Sequence, residues 1–271
     1  MEQYDITEVL ALARDAAQAG AQIAIDYSKS GSFKVDSKSA LELVSTADTD
    51  AEKAIVATIR SCFPDHEFLT EEQYPNLDRL SKIDKPLWII DPIDGTTNYI
   101  YGLAPVGISI GFFADGAVQA GVVAAPFLNE EFTAIRGRGA FLNGERIRVR
   151  KCAELKAALI ATGFPYNRSN VSPLVSRVEA VLKNCRDVRR LGAASLDLCY
   201  VGCGRLDAYY ETIRAWDMAA GLLIAREGGA VAGHLNDKRS SNGAPDDLHG
   251  EELLVTVPEI FAGLKSLLEH A

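Results

Sequence analysis

Leu87-Trp88-Ile89-Ile90-Asp91-Pro92-Ile93-Asp94-Gly95-Thr96-Thr97-Asn98 is an apolar run that stops abruptly in two carboxylates, a proline, a glycine and two hydroxyls. Leu87 to Ile90 read as a buried strand. A strand ending at Asp91 delivers that carboxylate to a sheet edge, within reach of solvent and ligand. Pro92 has a fixed φ and no N–H, so it is expected to turn the chain sharply and leave the Ile93 carbonyl free to face a cation. Asp94 adds a second carboxylate within one turn. Two carboxylates this close repel unless something positive lies between them, and oxygen-only ligation suits Mg²⁺, Ca²⁺ or Mn²⁺. Gly95 permits φ > 0 or a close approach of backbone to ligand. A helix beginning at Thr96 or Thr97 would aim free N–H groups at an anion beside the metal. By itself, Asp-x-x-Asp-Gly more often marks a solvated turn that closes a strand.

Outward from this stretch, helices and strands alternate without repeats or low-complexity linkers. Ile6, Val9, Leu10, Ala13, Ala17, Ala21 and Ala24 recur at helical spacing and predict a long amphipathic helix over 6–28. Thr49 and Glu52 match a capping box, so a second helix is expected from Thr49 to the stop at Pro64. His66–Thr70 and Leu87–Asp91 read as strands, and Val106–Phe113 and Ala117–Ala125 flank the hairpin signal Asp115-Gly116; Asn143-Gly144 marks a later turn. The first half is therefore expected to be a largely antiparallel sheet packed by two helices. After Arg150 the pattern predicts strands at Ala157–Thr162, Asp207–Glu211 and Glu252–Val255. Helices are expected at Pro173–Leu182, Ala193–Cys203, Trp216–Glu227 and Glu259–Glu269, the third closed by Gly228-Gly229. With no linker between them, residues 1–150 and 151–271 are read as two halves sharing one layered α+β core.

Composition excludes several classes of function. The 271 residues are 48% hydrophobic, enough for a large core, and carry a net charge of −9. That charge, with no basic run, argues against a nucleic-acid binder, whose affinity comes from clustered Lys and Arg. No signal-like start and no apolar run of membrane-spanning length is present, so a cytoplasmic protein is expected. Five cysteines without a Cys-x-x-Cys pair predict reduced, mostly buried thiols. His66, His234, His249 and His270 form no zinc-like spacing and are expected on the surface or in loops.

Two further acidic elements could complete a metal cluster. Phe68-Leu69-Thr70-Glu71-Glu72 ends a strand in paired carboxylates, and Trp216-Asp217-Met218-Ala219-Ala220-Gly221 places an acid at the start of an apolar helix. Each has a plainer explanation, a wet loop for the glutamates and helix-dipole complementarity for Asp217. Taken with the opening stretch, Leu43–Asp48, Ile108–Phe112, Gly137–Gly144 and Asp207–Glu211, in this order and spacing, the chain resembles the inositol monophosphatase family of metal-dependent sugar-phosphate phosphatases. The resemblance covers roughly residues 40–230 and implies a layered αβαβα sandwich of the inositol monophosphatase and fructose-1,6-bisphosphatase type.

It also implies roles. Glu71, Asp91 and the Ile93 carbonyl would hold one Mg²⁺, and Asp91, Asp94 and Asp217 a second, with a weaker third ion leaning on Glu71. Glu71 and Thr96 would orient the attacking water, Asp48 would accept a hydrogen bond from Thr96, and the N–H groups of Gly95 and Thr96 would grip the phosphate. Asp94, Ala194 and Glu211 would contact the substrate. A carboxylate at Glu211 suits a neutral polyol better than a second phosphate, which points to inositol monophosphate or a similar polyol phosphate. The stretch Thr212-Ile213-Arg214-Ala215-Trp216 is one residue shorter than the family spacing, so Glu211 is open to a different aim; Arg214 fits either a second anion or a solvated loop. The loop around Lys38 is a candidate cover for the site. Fructose 1,6-bisphosphate, 3′-phosphoadenosine 5′-phosphate and histidinol phosphate stay open as alternative substrates. So does a regulatory, partner-binding role on the same fold. The resemblance further implies Li⁺ inhibition and a homodimer.

Overall fold

The computed structural model describes residues 4–38, 42–165, 169–237, 240 and 243–271. In chain order the elements are α1 (Ile6–Ser30), β1 (Val35–Ser37), β2 (Leu43–Ser45), α2 (Thr46–Cys62), β3 (Glu67–Thr70), β4 (Leu87–Asp94), α3 (Thr96–Tyr101), β5 (Gly107–Ala114), β6 (Ala117–Ala125), β7 (Glu130–Ile135), β8 (Gly139–Leu142) and β9 (Glu145–Arg146). They continue as β10 (Leu159–Thr162), α4 (Ser172–Asn184), β11 (Asp187–Arg189), α5 (Ala194–Gly202), β12 (Ala208–Glu211), α6 (Ala215–Glu227), β13 (Val231–His234), β14 (Leu253–Thr256) and α7 (Phe261–Glu269).

Among the described residues, β3 to β9 form a seven-stranded sheet in sequence order, and a five-stranded sheet runs β11-β10-β12-β14-β13. The larger sheet is antiparallel except where β3 lies parallel to β4. Helices α1 and α2 pack on one of its faces and α5 and α6 on the other; α5 and α6 also touch the smaller sheet, whose far side carries α4 and α7. Four apolar clusters fill the four resulting interfaces. The fold is thus the layered αβαβα sandwich.

The layering explains the sequence texture. An outer helix needs only one apolar stripe, which α1 supplies with Val9, Ala13, Ala16, Ala17, Gly20, Ala21 and Ala24. A helix clamped between two sheets is apolar all round, as α6 is from Ala215 to Ala225 except at Asp217. Glycines in the larger sheet set how closely α6 approaches. A Cβ on Gly111 would lie 2.9 Å from Ala219 Cβ, and one on Gly121 3.0 Å from Ala220 Cα. Ser109 Oγ also donates to the Trp216 carbonyl, fixing the helix start against β5.

Three sequence expectations need correction. Helix α2 begins at Thr46, not Thr49: Ser45 is the N-cap in extended conformation, and Asp48 completes the capping box with Ser45. Thr49 Oγ1 instead donates back to the Thr46 carbonyl inside the helix, and Glu52 is buried and accepts from Thr70 Oγ1 and the N–H groups of Glu72 and Gln73. The opening motif is not a sharp turn after a strand. β4 runs on to Asp94, with a break in register to β5 between Asp91 and Asp94, where Pro92 has no N–H for the ladder. The histidines are not all superficial. His66 is buried, accepts from Trp88 Nε1 at 3.0 Å and stacks on Phe63, while buried His249 stacks on His234. The cysteines are free, with Cys152 and Cys199 buried and Cys62 exposed. No described helix is long and apolar enough to cross a membrane.

Candidate metal and phosphate site

The register break in β4 puts Asp91 and Asp94 at the end of the larger sheet, and α6, seated on the Gly111 and Gly121 surface, brings Asp217 to them. One oxygen from each of Asp91, Asp94 and Asp217 lies within 4.8 Å of the others. The three acids belong to an open cavity of about 340 Å³ whose wall also includes Lys38, Glu71, Ile93, Gly95, Thr96 and Arg214. A hollow of about 370 Å³ beside Tyr4, Lys85 and the Asp115-Gly116 turn is of similar size. It lacks such a convergence of ligand atoms among the described residues, and chemistry places the site in the acidic cavity.

Each acid is held in place by backbone. Asp91 Oδ1 accepts from Ile93 N at 3.0 Å. Asp217, in the first turn of α6, accepts from Arg214 N at 2.8 Å. Asp94 is gripped by the start of α5: Ala194 N donates to Oδ1 at 3.1 Å, and the Ser195 N–H and hydroxyl donate to Oδ2 at 2.7 and 2.5 Å. Burial and mutual repulsion raise the pKa of the group. Asp91 is pushed well up by burial and by the charges of Glu71, Asp94 and Asp217, and Asp217 by burial and by Asp94 and Glu71. Asp94 reaches about 6, burial being opposed by its three donors. Carboxylates forced together in this way gain most from a hard divalent cation, and the donor set is all oxygen.

Around the cluster, Thr96 sits at the start of α3, after Gly95 in the left-handed region at φ 92°. Its hydroxyl lies 3.0 Å from Asp48 Oδ1 and 3.2 Å from the Ile93 carbonyl. Asp48 also accepts from the Ser45 N–H and hydroxyl, and burial raises it to about 6. Asn98 Nδ2 donates to the carbonyls of Pro105 and Leu191, tying α3 to the loop before α5.

The structure therefore brings together Asp91, Asp94 and Asp217, with Ile93, Gly95, Thr96 and Asp48 beside them. Glu71 shares the cavity but stands outside that tight group: Lys38 Nζ lies 2.9 Å from its Oε1 and also contacts Glu72. Residues 39–41 of the same loop lie outside the described residues. Ala194 acts here through its N–H to Asp94, and neither it nor Glu211 is in the cavity wall. The Glu211 carboxylate instead takes the Tyr209 hydroxyl at 2.6 Å. Arg214, by contrast, lines the cavity. Sequence reasoning gave Ser195 and Tyr209 no role. The signal for Ser195 was a hydroxyl at the first turn of a helix lacking an acidic cap, but its partner is 101 positions away.

Comparison with known proteins gives a consistent result. Residues 5–269 match the model of the inositol monophosphatase family. A Pasteurella multocida protein named Nus factor SuhB is 40% identical over 229 residues, covering 84% of this chain and 85% of that protein. Its Vibrio cholerae namesake is 37% identical over 260 residues, covering 95% and 92%. The structure of the extragenic suppressor protein suhB from Bartonella henselae superposes with a TM-score of 0.84 at 31% identity, covering 97% of this chain and 98% of that one. An inositol monophosphatase from Anabaena gives 0.81 at 30% identity, covering 99% and 98%.

Proposed function

The chain belongs to the inositol monophosphatase family, and from that premise we propose that it is a Mg²⁺-dependent phosphomonoesterase acting on inositol monophosphate or a similar polyol phosphate. The observation that carries this reading is the convergence of Asp91, Asp94 and Asp217 in one cavity with oxygens within 4.8 Å. Those three, with Glu71 and the Ile93 carbonyl, would hold the metal. When bound, Mg²⁺ supplies Lewis acidity that lowers the pKa of water and stabilises the departing oxygen.

The remaining work falls to the chain. The N–H groups of Gly95 and Thr96 would receive the phosphate oxygens beside the acids. Asp48, itself locked by Ser45, fixes the Thr96 hydroxyl as an oriented group for the attacking water. Glu71 would share that duty, which requires its carboxylate to leave Lys38. Asp94 cannot drift, because the start of α5 holds both of its oxygens.

Phosphate release from inositol, fructose, nucleotide and histidinol phosphates, with and without Mg²⁺ and beside Asp94→Asn, tests the proposal. The expected result is Mg²⁺-dependent release from a polyol monophosphate that Asp94→Asn abolishes. No metal-dependent release from any substrate would sink it.

A second reading is favoured by one observation, that relatives at 37 and 40% identity are named Nus factor SuhB, as a factor and not as an enzyme. On this reading the chain also serves as a partner-binding protein. The net charge of −9 favours a protein partner over direct grip on a nucleic-acid backbone. Partner capture unaffected by Asp94→Asn would support this role; capture that disappears with that substitution would oppose a role separate from the metal site.

A further inference from the structure

β12 lies parallel to β10, with Ala161 opposite Tyr209 and Thr162 opposite Tyr210. One step further along that register sets Gly163 beside Glu211. The approach is close: a Cβ on Gly163 would lie 1.8 Å from Glu211 Oε2 and 2.5 Å from Oε1. Gly163 is not among the residues with positive φ, so its backbone does not demand glycine; the space occupied by the carboxylate does. The same Oε2 takes the 2.6 Å hydrogen bond from Tyr209, which is fully buried on the same face of β12. Thr162 Oγ1 donates to the Tyr210 carbonyl at 2.8 Å, which locks the two strand ends together at this level.

We propose that Gly163 is a positioning residue for Glu211: its missing side chain and the Tyr209 hydroxyl hold that carboxylate in one pose, and the pose sets a preference for leaving groups that carry hydroxyls. The preference rests on the phosphatase reading above. Glu211 is within electrostatic reach of Asp94, which raises its pKa, and of Arg190, which lowers it. The carboxylate is therefore coupled to the acidic cluster from the α5 side, although it is absent from the cavity wall. Burial drives the Tyr209 phenol well above its usual range, so it remains a donor to Glu211 at neutral pH.

The test is a double-mutant cycle of Gly163→Ala and Glu211→Ala, assayed with myo-inositol 1-phosphate and with p-nitrophenyl phosphate in Mg²⁺, and followed in parallel by thermal unfolding. Gly163→Ala is expected to reduce the kcat/KM ratio of the first substrate to the second by about tenfold, through KM, a change of about 1.4 kcal/mol. In the Glu211→Ala background the same substitution is expected to change that ratio by about twofold or less. Tyr209→Phe, which keeps the ring, shifts the ratio in the same direction as Gly163→Ala. Equal losses for both substrates, or the same loss in both backgrounds, would overturn the proposal. Unfolding provides an arm that needs no turnover. The melting temperature should drop with Gly163→Ala when Glu211 is present and recover when it is alanine; equal drops would again overturn the positioning role. Failure of the wild-type protein to hydrolyse either substrate would remove the phosphatase reading and the leaving-group preference, while the unfolding arm still decides whether Gly163 acts through Glu211.

Discussion

Glu211→Gln keeps the shape of a side chain wedged between Gly163 and the Tyr209 hydroxyl while removing its charge. Burial, opposed by the Tyr209 hydrogen bond and by Arg190, raises the Glu211 pKa from 4.5 to about 7. A carboxyl whose folded pKa lies above its unfolded one contributes stability in full below 4.5 and loses it as pH rises through about 7. Full ionisation then costs the folded chain about 3 kcal/mol. Roughly 2.5 kcal/mol of this falls between about pH 5 and about pH 8.5. The glutamine variant has no such term, so it gains on the wild type by that amount as pH rises. Urea unfolding in the presence of chelator measures it, read by fluorescence of the buried Trp88 and Trp216. Raised carboxyls beyond electrostatic reach of Glu211 tilt both curves alike and drop out of the difference, whereas Asp94 and Asp197, which repel its charge, add to the gain of the glutamine variant. A difference that stays constant across the range would mean that Glu211 is ionised throughout in the fold, and the burial argument would fall.

Mg²⁺ added to chelator-treated protein should stabilise it by about 2.7 kcal/mol at a hundred times its dissociation constant. Asp217→Asn should lose that gain yet melt above the metal-free wild type, because one of three repelling carboxylates is gone; thermal melts with and without Mg²⁺ check both. Ser195→Ala removes the side-chain donor to Asp94, leaving the two backbone N–H groups, and should cost about 1.5–3 kcal/mol, with weaker Mg²⁺ binding by calorimetry. Gly111→Ala pushes a methyl to 2.9 Å from Ala219 Cβ. It should cost about 1–3 kcal/mol and weaken Mg²⁺ binding although every carboxylate is retained, as calorimetry would show.

Local chemistry was legible where neighbours in the chain decide the outcome. The α1 stripe and the Asp115-Gly116 hairpin depend on contacts within a few residues and stand where periodicity and turn chemistry put them, while the paired acids of the opening motif lie close together on a continued strand and not on the expected sharp turn. The start of α2 was not legible for a simple reason. Ser45-x-x-Asp48 and Thr49-x-x-Glu52 both fit the same capping template, and the choice depends on Thr70, Glu72 and Gln73 claiming Glu52. β11 and β13 are short strands that complete a sheet built from distant segments, so little in their own pattern announces them.

For the site, the amino-acid sequence alone determined which ligand chemistry was available: oxygen donors on an apolar strand, a hydroxyl and glycine beside them, and family motifs in order. Tertiary structure decided which of those groups meet. Asp217 reaches Asp91 because Gly111 and Gly121 let α6 settle onto the sheet. Asp94 is fixed by Ser195, Glu71 is drawn to Lys38, and Glu211 turns to Tyr209. Residue types and short spacings are written in one dimension, whereas the distances between remote carboxylates follow from how five layers pack.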